Sequence, residues 1–291
     1  MKKRAISSLL AVFVVAGFIL PALATGSAGN GDQTETAQAD ADAVPGSFVL
    51  LDGTAQPVEY EVRSGTTYVT VSSFVAMADP HAVVREENGV VTVSSSQGEE
   101  ALSLTVSTRT PYIIANGRCL NAKGSITTVN GHVAVPIRKL AQVFNLGVSY
   151  DSAAKAALLT RSEGSGAYIQ SGDSYYNADT LYWLSRIIQA ESGNQSLDGK
   201  IAVGNVVMNR VKSPLFPNSL YDVLNQPNQF IPCSTLSRYT PNSESVVAAK
   251  LVLEGVQVVP NALFFARAGL VCYASVYRPY VATIGAHAFY A

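Results

Sequence analysis

The stretch Leu184-Ser185-Arg186-Ile187-Ile188-Gln189-Ala190-Glu191-Ser192-Gly193 closes the first strongly helical run of the chain. Leu181, Leu184, Ile188 and Glu191 fall on one face at helical spacing, with Ile187 beside them. The pattern predicts a helix over 179–192, with Asp179 as N-cap and Gly193 in the left-handed position past the last turn. A second helix is predicted over 198–212, stopped by Ser213-Pro214. It carries Ile201, Val203, Val206, Val207 and Val211, while Ala202 and Gly204 permit close packing. A short helix over 219–224 and a longer one over 243–254, ended by Gly255, follow. The apolar segments 262–265 and 281–284 read as β. The C-terminal part is therefore read as a mainly helical α+β domain over 179–291.

Upstream the period shortens to that of strands. Tyr60, Val62, Tyr68, Val69 and Val71 mark the first of them, and Val90-Val91-Thr92-Val93 follows the turn signal Asn88-Gly89. Tyr112-Ile113-Ile114, the turn Asn116-Gly117 and His132-Val133-Ala134-Val135 form a second set. The region repeats internally: the ten residues from Gly65 align with the ten from Asn130. In each copy a glycine turn leads to a strand and then a short helix, over 72–77 and 136–144. A further strand, over 90–94 or 156–160, closes the unit. A two-domain chain results: a β-rich (α+β) repeat domain over 47–162, a Gly/Ser-rich linker over 163–178, and the helical domain. The linker tyrosines Tyr168, Tyr175 and Tyr176 suggest a segment lying against a neighbouring surface.

The N-terminus reads as an export signal. Lys2, Lys3 and Arg4 precede an apolar run from Leu9 to Leu20 and then Ala22-Leu23-Ala24, which predicts a signal peptide over 1–24 cleaved after Ala24. Residues 25–46 are poor in large apolar groups and read as a disordered leader. The mature protein is expected to be secreted, extracellular or wall-associated, with no membrane span. A net charge of -1 gives no reason to expect nucleic acid as partner. Of Cys119, Cys233 and Cys272, the last two stand near enough in sequence to raise the question of a disulfide. His81 and His132 stand alone, without the clustering of a metal site, and no cofactor is expected.

Glu191 is the unusual residue, because it extends the apolar stripe of its helix. A carboxylate there is partly desolvated, and the helix C-terminus adds negative potential; both raise its pKa. A carboxyl group that keeps its proton can donate it to a glycosidic oxygen. The plainer alternative is a Glu in a fraying last turn that points to water.

Two resemblances bear on this. The stretch from Leu184, together with Gly199-Lys200-Ile201-Ala202-Val203-Gly204-Asn205-Val206-Val207-Met208-Asn209-Arg210-Val211, Gln226-Pro227-Asn228-Gln229-Phe230 and Ile284-Gly285-Ala286-His287-Ala288-Phe289-Tyr290, resembles the SleB-type cell-wall hydrolases. The resemblance covers 179–291. It implies a lysozyme-like core, a peptidoglycan substrate, a link to sporulation and germination, and a single catalytic Glu at the position of Glu191. Ser192 departs from the Ala common there, and Phe264-Phe265-Ala266-Arg267 departs from an aromatic pair followed by Asn. The second N-terminal repeat, with Val135-Pro136-Ile137-Arg138 and Leu146-Gly147-Val148-Ser149-Tyr150-Asp151, resembles the stalk-like N-terminal module of copper amine oxidases. That resemblance implies an accessory role toward a wall or protein ligand.

The carboxylates from 179 onward are Asp179, Glu191, Asp198, Asp222, Glu244 and Glu254. Asp179 and Asp198 are assigned as caps, Asp222 and Glu244 as first-turn acids, and Glu254 as the exposed end of a helix. None is left to flank a scissile bond as ordinary glycosidases require. This favours a lytic transglycosylase, in which the muramic acid's own hydroxyl attacks and leaves a 1,6-anhydro end. Candidate substrate contacts are Gln229, Phe230, Asn209, Phe265, Tyr273, Tyr277 and His287; packing and hydrogen-bonding roles compete for Asn209 and His287. The rival readings are a hydrolytic N-acetylmuramidase, a wall amidase or peptidase, and a non-catalytic wall-binding protein. A zinc amidase lacks ligands here. A cysteine peptidase built on Cys233 or Cys272 with His287 lacks a cysteine at a recognisable helix N-terminus.

Overall fold

The computed structural model describes residues 49–97, 100–227 and 229–291. The signal-peptide and leader expectations over 1–46 lie outside them. The N-terminal segment runs β1 (Val49–Leu51), β2 (Thr54–Gln56), β3 (Tyr60–Arg63), β4 (Thr66–Thr70), α1 (Val71–Ala78), β5 (Val83–Glu87), β6 (Val90–Gln97) and β7 (Glu100–Ser107). It continues β8 (Tyr112–Ala115), β9 (Arg118–Asn121), β10 (Thr127–Val129), β11 (His132–Pro136), α2 (Ile137–Val143), β12 (Leu146–Asp151) and β13 (Ala156–Arg161). The strands form sheets β12-β13-β1-β2, β10-β11-β4-β3 and β5-β6-β7-β8-β9 around one apolar core that includes Phe74, Leu104, Ile113, Leu140 and Phe144.

The expected repeat is present, shifted by one residue. Ser64-Gly65 and Asn130-Gly131 are the matching turns, each with positive φ at both residues, as tight hairpins require. Gly65 therefore corresponds to Gly131, not to Asn130. In that register Val69 corresponds to Val135, and the two pair directly in the β4–β11 ladder. A local two-fold axis thus passes between them. Val71, expected in a strand, opens α1 instead, because the Thr70 hydroxyl accepts the Ser73 amide and caps a helix there.

The C-terminal segment runs α3 (Gly172–Tyr175), α4 (Ala178–Ser192), α5 (Leu197–Lys212), α6 (Leu220–Leu224), α7 (Cys233–Leu236) and α8 (Ser243–Leu253). It ends with β14 (Phe264–Arg267), α9 (Tyr273–Tyr277), β15 (Tyr280–Ile284) and β16 (His287–Tyr290), in the sheet order β14-β16-β15. The expected mainly helical α+β class is what is found; α3, α7, α9 and β16 were not foreseen. The caps differ from expectation. Asn177, not Asp179, caps α4 by accepting the Thr180 amide at 2.9 Å, and Ser196, not Asp198, caps α5. Each aspartate sits one or two positions inside, in the first turn, where the dipole also favours it.

Helices α4, α5 and α8 pack around Gly204. A Cβ there would lie 2.9 Å from both Ile188 Cδ1 and Val252 Cγ2, so the residue's smallness sets the helix spacing. Gly255 adopts φ +90° and ends α8 as expected, whereas Gly193 has φ -55°, an ordinary helical value. Gly193 is required for space: its Cβ would fall 2.5 Å from the Gln189 carbonyl oxygen and 2.2 Å from Gln189 Nε2.

The stretch expected as a linker is packed. Tyr168 and Tyr176 are buried, and the Tyr168 hydroxyl donates to Asp79 Oδ2 at 2.6 Å. Tyr175 lies under the Arg118 guanidinium, whose Cζ is 3.4 Å from the ring centroid. Glu254, expected at an exposed helix end, is instead buried against the N-terminal segment. Arg118 donates to both of its oxygens, at 2.8 and 2.7 Å, and the Tyr176 hydroxyl donates to Oε1. Cys119 of β9 packs into the core made by Leu184, Ile187, Leu224 and Leu236. The described residues fall in one compact unit.

Candidate functional site

Helix α4 places Glu191. Its apolar stripe, Leu184, Ile187 and Ile188, is fully buried, and Glu191 continues that face into a half-buried position. Burial raises the carboxyl pKa above the ordinary value, opposed in part by the influence of the Ile231 backbone amide. Ser192, beside it, is buried and donates to the Ile188 carbonyl at 2.7 Å, which satisfies the hydroxyl where Ala is usual.

The turn after α4 is fixed from both sides. The Lys200 ammonium, buried on α5, donates to the Gln195 carbonyl at 2.6 Å and to Glu244. The Gln195 side-chain oxygen accepts the Ala286 amide at 2.9 Å, tying the turn to the β15–β16 hairpin. Asn205, fully buried within α5, donates to the Val256 carbonyl and accepts the Val258 amide.

The expected substrate contacts fall into three groups. Gln229 and Phe230 lie in the loop between α6 and α7, next to Ile231. Phe230 stands 6.3 Å from Phe265, and Phe265 stands 5.3 Å from the His287 ring in an edge-to-face contact. Burial lowers the His287 pKa, and its Nδ1 is buried without a hydrogen-bond partner. Tyr273 and Tyr277 form an exposed pair on α9, with centroids 5.3 Å apart. The Asn209 amide donates to the carbonyls of Ala262 and Val259, at 3.1 and 3.4 Å.

Sequence reasoning passed over Arg210. Its guanidinium is buried, donates to the Leu263 carbonyl and to Gln229 Oε1, and has no carboxylate partner among the described residues. Burial pulls its pKa down to about 10. An arginine at the apolar end of a helix, one residue past Asn209, was the available signal. The Ile231 amide carried no sequence signal, since any residue supplies one.

The other carboxylates from 179 onward are engaged or distant. Asp198 pairs with Lys123, Glu244 with Lys200 and Glu254 with Arg118, while Asp222 accepts from Ser219 at 2.6 Å. Asp179 lies at the other end of α4, about 18 Å away at the rise of an α-helix.

The cysteines answer one open question and correct one expectation. Cys233 and Cys272 are both free thiols, not a disulfide. Cys233 opens α7 and Cys272 caps α9, so both do stand at helix N-termini, of very short helices. Burial raises the Cys233 thiol, while the Ser275 amide lowers that of Cys272. Among the described residues no hydrogen bond joins either one to His287. The described residues contain no group of three or more His, Cys, Asp or Glu able to hold a metal, and no helix long and apolar enough to cross a membrane.

Comparison with known proteins accounts for both segments. Residues 194–290 match the Cell Wall Hydrolase family model, and residues 49–159 match the Copper amine oxidase N-terminal domain model. The former match begins just past Glu191. The chain is 28% identical over 116 residues to a spore cortex-lytic enzyme of Bacillus cereus, covering 39% of this chain and 45% of that one. It is also 28% identical over 116 residues to the spore cortex-lytic enzyme of Bacillus subtilis, covering 38% of that protein. The chain thus spans less than half the length of these relatives. Among solved structures, the catalytic domain of the germination-specific lytic transglycosylase SleB from Bacillus anthracis aligns at 25% identity and TM-score 0.37, covering 42% of this chain and all of that one. The catalytic domain of the Bacillus cereus SleB protein aligns at the same identity and TM-score. The chain thus carries one segment that matches the Copper amine oxidase N-terminal domain model and a later one that matches the Cell Wall Hydrolase model, the latter similar in sequence to spore cortex-lytic enzymes.

Proposed function

We propose that the chain cleaves the glycan strands of peptidoglycan as a lytic transglycosylase, with Glu191 as its catalytic residue. The observation that carries this reading is the half-buried carboxyl of Glu191, which continues the buried face of α4 and is raised by burial. Protonated Glu191 gives its proton to the glycosidic oxygen, and the bond to the muramic anomeric carbon breaks. The resulting carboxylate takes the proton of the muramic C6 hydroxyl as that oxygen attacks the anomeric carbon. A 1,6-anhydro ring forms, no water is consumed, and Glu191 is again protonated.

A hydrolytic muramidase of the ordinary two-carboxylate kind needs a partner within roughly 5–9.5 Å. The engaged states of Asp198, Asp222, Glu244 and Glu254 argue against that partner. Phe230, Phe265 and the Tyr273–Tyr277 pair offer ring faces for sugars. In this reading the signal sequence exports the chain to the wall, and the N-terminal domain serves as an accessory module there.

Mass spectrometry of purified peptidoglycan digested by the full chain tests the reading. Anhydromuramic ends are expected. Reducing muramic acid ends would assign a muramidase, freed stem peptides an amidase or peptidase, and an unchanged digest a binding protein.

A further inference from the structure

The local two-fold relates β4 to β11, yet the places beside the two strands are filled differently. Beside β11, Glu86 of β5 closes the gap: its Oε1 accepts the Val133 amide at 2.7 Å, and its Oε2 lies 3.1 Å from His132 Nδ1. Beside β4 the counterpart gap is open. It is a groove of about 510 Å³ lined by Tyr60, Val62, Thr67, Tyr150, Lys155 and Ala157.

The strand registers fix the correspondence. With Gly65 matching Gly131, Thr67 matches Val133. Val84 pairs with Val93, and Val148 with Leu159, all four in or against the same core. Two residues further, on the same face of each strand, stand Glu86, paired with Val91, and Tyr150, paired with Ala157. Tyr150 therefore occupies the place of Glu86 and brings a ring where the other repeat has a carboxylate.

The Thr67 amide is turned as the Val133 amide is. The Thr70 amide donates to the Glu59 carbonyl at 2.9 Å, so by alternation the Val62–Thr67 pair of the β3–β4 ladder is not hydrogen-bonded. The Thr67 N–H thus turns away from β3, and among the described residues no side chain accepts from it. A cation stands at the same groove. Asp151 pairs with Ala156 where Glu87 pairs with Val90, so the β12–β13 turn is longer than its counterpart, and it carries Lys155. Lys155 has no ion-pair partner among the described residues. Of the acids on the bordering strands, Glu61 is held by Arg63, and Asp151 accepts the amides of Ala153 and Ala154.

We propose that this groove binds the free carboxylate at the end of a peptide, which in the wall is a stem peptide of peptidoglycan. The ligand's carboxylate takes the place that Glu86 takes in the other repeat, accepting from the Thr67 amide and the Lys155 ammonium. Val62 and Tyr150, 58% and 67% exposed, cover the small apolar side chains beside it. This rests on the reading of the N-terminal segment as an accessory module of a wall enzyme, and gives that module its ligand.

Isothermal titration of the full chain with diacetyl-L-lysyl-D-alanyl-D-alanine and with its C-terminal amide tests the proposal, with melting curves as the check on folding. The acid is expected to bind, and the amide to bind about tenfold more weakly or less, the worth of one charge-assisted hydrogen bond. Lys155→Met should weaken the acid by about the same factor. Tyr150→Glu builds into this groove the carboxylate that fills the other one, and is expected to abolish binding of the acid. Tyr150→Gln, of similar length without the charge, should keep most of it. Equal affinity for acid and amide overturns the proposal, as does displacement of the acid by inorganic phosphate at equal concentration. A folded Lys155→Met or Tyr150→Glu that binds as the unaltered protein does also overturns it. No cleavage enters the titration, so peptide binding beside an unchanged peptidoglycan digest would overturn the reading of Glu191 and leave the groove's role standing.

Discussion

The proton on Glu191 links chemistry and stability with opposite signs. Its folded pKa is raised, so the native state binds that proton more tightly than the unfolded chain does. The stabilisation is fully present below the unfolded carboxyl pKa and is lost as pH rises through the folded value. Near neutral pH the ionised group therefore opposes folding. Glu191→Gln is expected to melt at a higher temperature than the unaltered protein at pH 7, and at nearly the same temperature at pH 3. The same change is expected to lower glycan cleavage by at least about a hundredfold, the usual contribution of a positioned acid. Melting curves at the two pH values together with the product assay check both signs, and an unchanged melting temperature at pH 7 would contradict the burial argument. His287 runs the other way. Burial depresses its pKa, so acidification toward and below the ordinary histidine value charges it in the unfolded chain first and costs stability.

At the scale of elements, glycine at the helix crossing sets the frame around this acid. Gly204→Leu would drive a side chain into Ile188 and Val252, and overpacking of this kind costs roughly 1–3 kcal/mol. Chemical denaturation should show a lowered midpoint with little change in slope. The periodicity of 181–191 revealed α4 and its buried face, because a stripe at helical spacing has few alternatives. The caps were less legible: Asn177, Asp179, Ser196 and Asp198 are all good cap types, and propensity does not choose among neighbours. Gly193 shows a second limit. Sequence marks a glycine at a helix end, but whether it serves left-handed backbone or close approach depends on where Gln189 lies. Short pieces such as α7, α9 and β16 carry too few residues to show a period. The setting of the buried Arg210 was invisible for another reason: Gln229 and Leu263 are brought to it only by the tertiary fold.

At the scale of the molecule, the two segments depend on each other through a buried ion pair. The side chains of Arg118 and Glu254 are only 9% and 7% exposed. Removing one partner strands the other charge, which typically costs about 3–5 kcal/mol. Arg118→Ala and Glu254→Ala should each be strongly destabilising, whereas the double change Arg118→Met with Glu254→Leu should recover much of the loss. Equilibrium unfolding of the three variants tests this, and additive losses in the double variant would contradict the coupling. A single melting transition is expected for residues from 46 onward, since β9 contributes to the core that α4 and α8 share.

Cys119 makes that shared core chemically addressable. Its thiol is 2% exposed, pushed up to about 11 by burial, and sits on a strand of one segment among the side chains of the other. A maleimide or aromatic disulfide can reach it only while the two segments are apart. In a Cys272→Ser background, which removes the half-exposed thiol, slow labelling localised to Cys119 by peptide mapping becomes a clock for the opening of the contact. Labelling of Cys119 that is faster than that of Cys233 would mean that the molecule comes apart between its segments before either one unfolds.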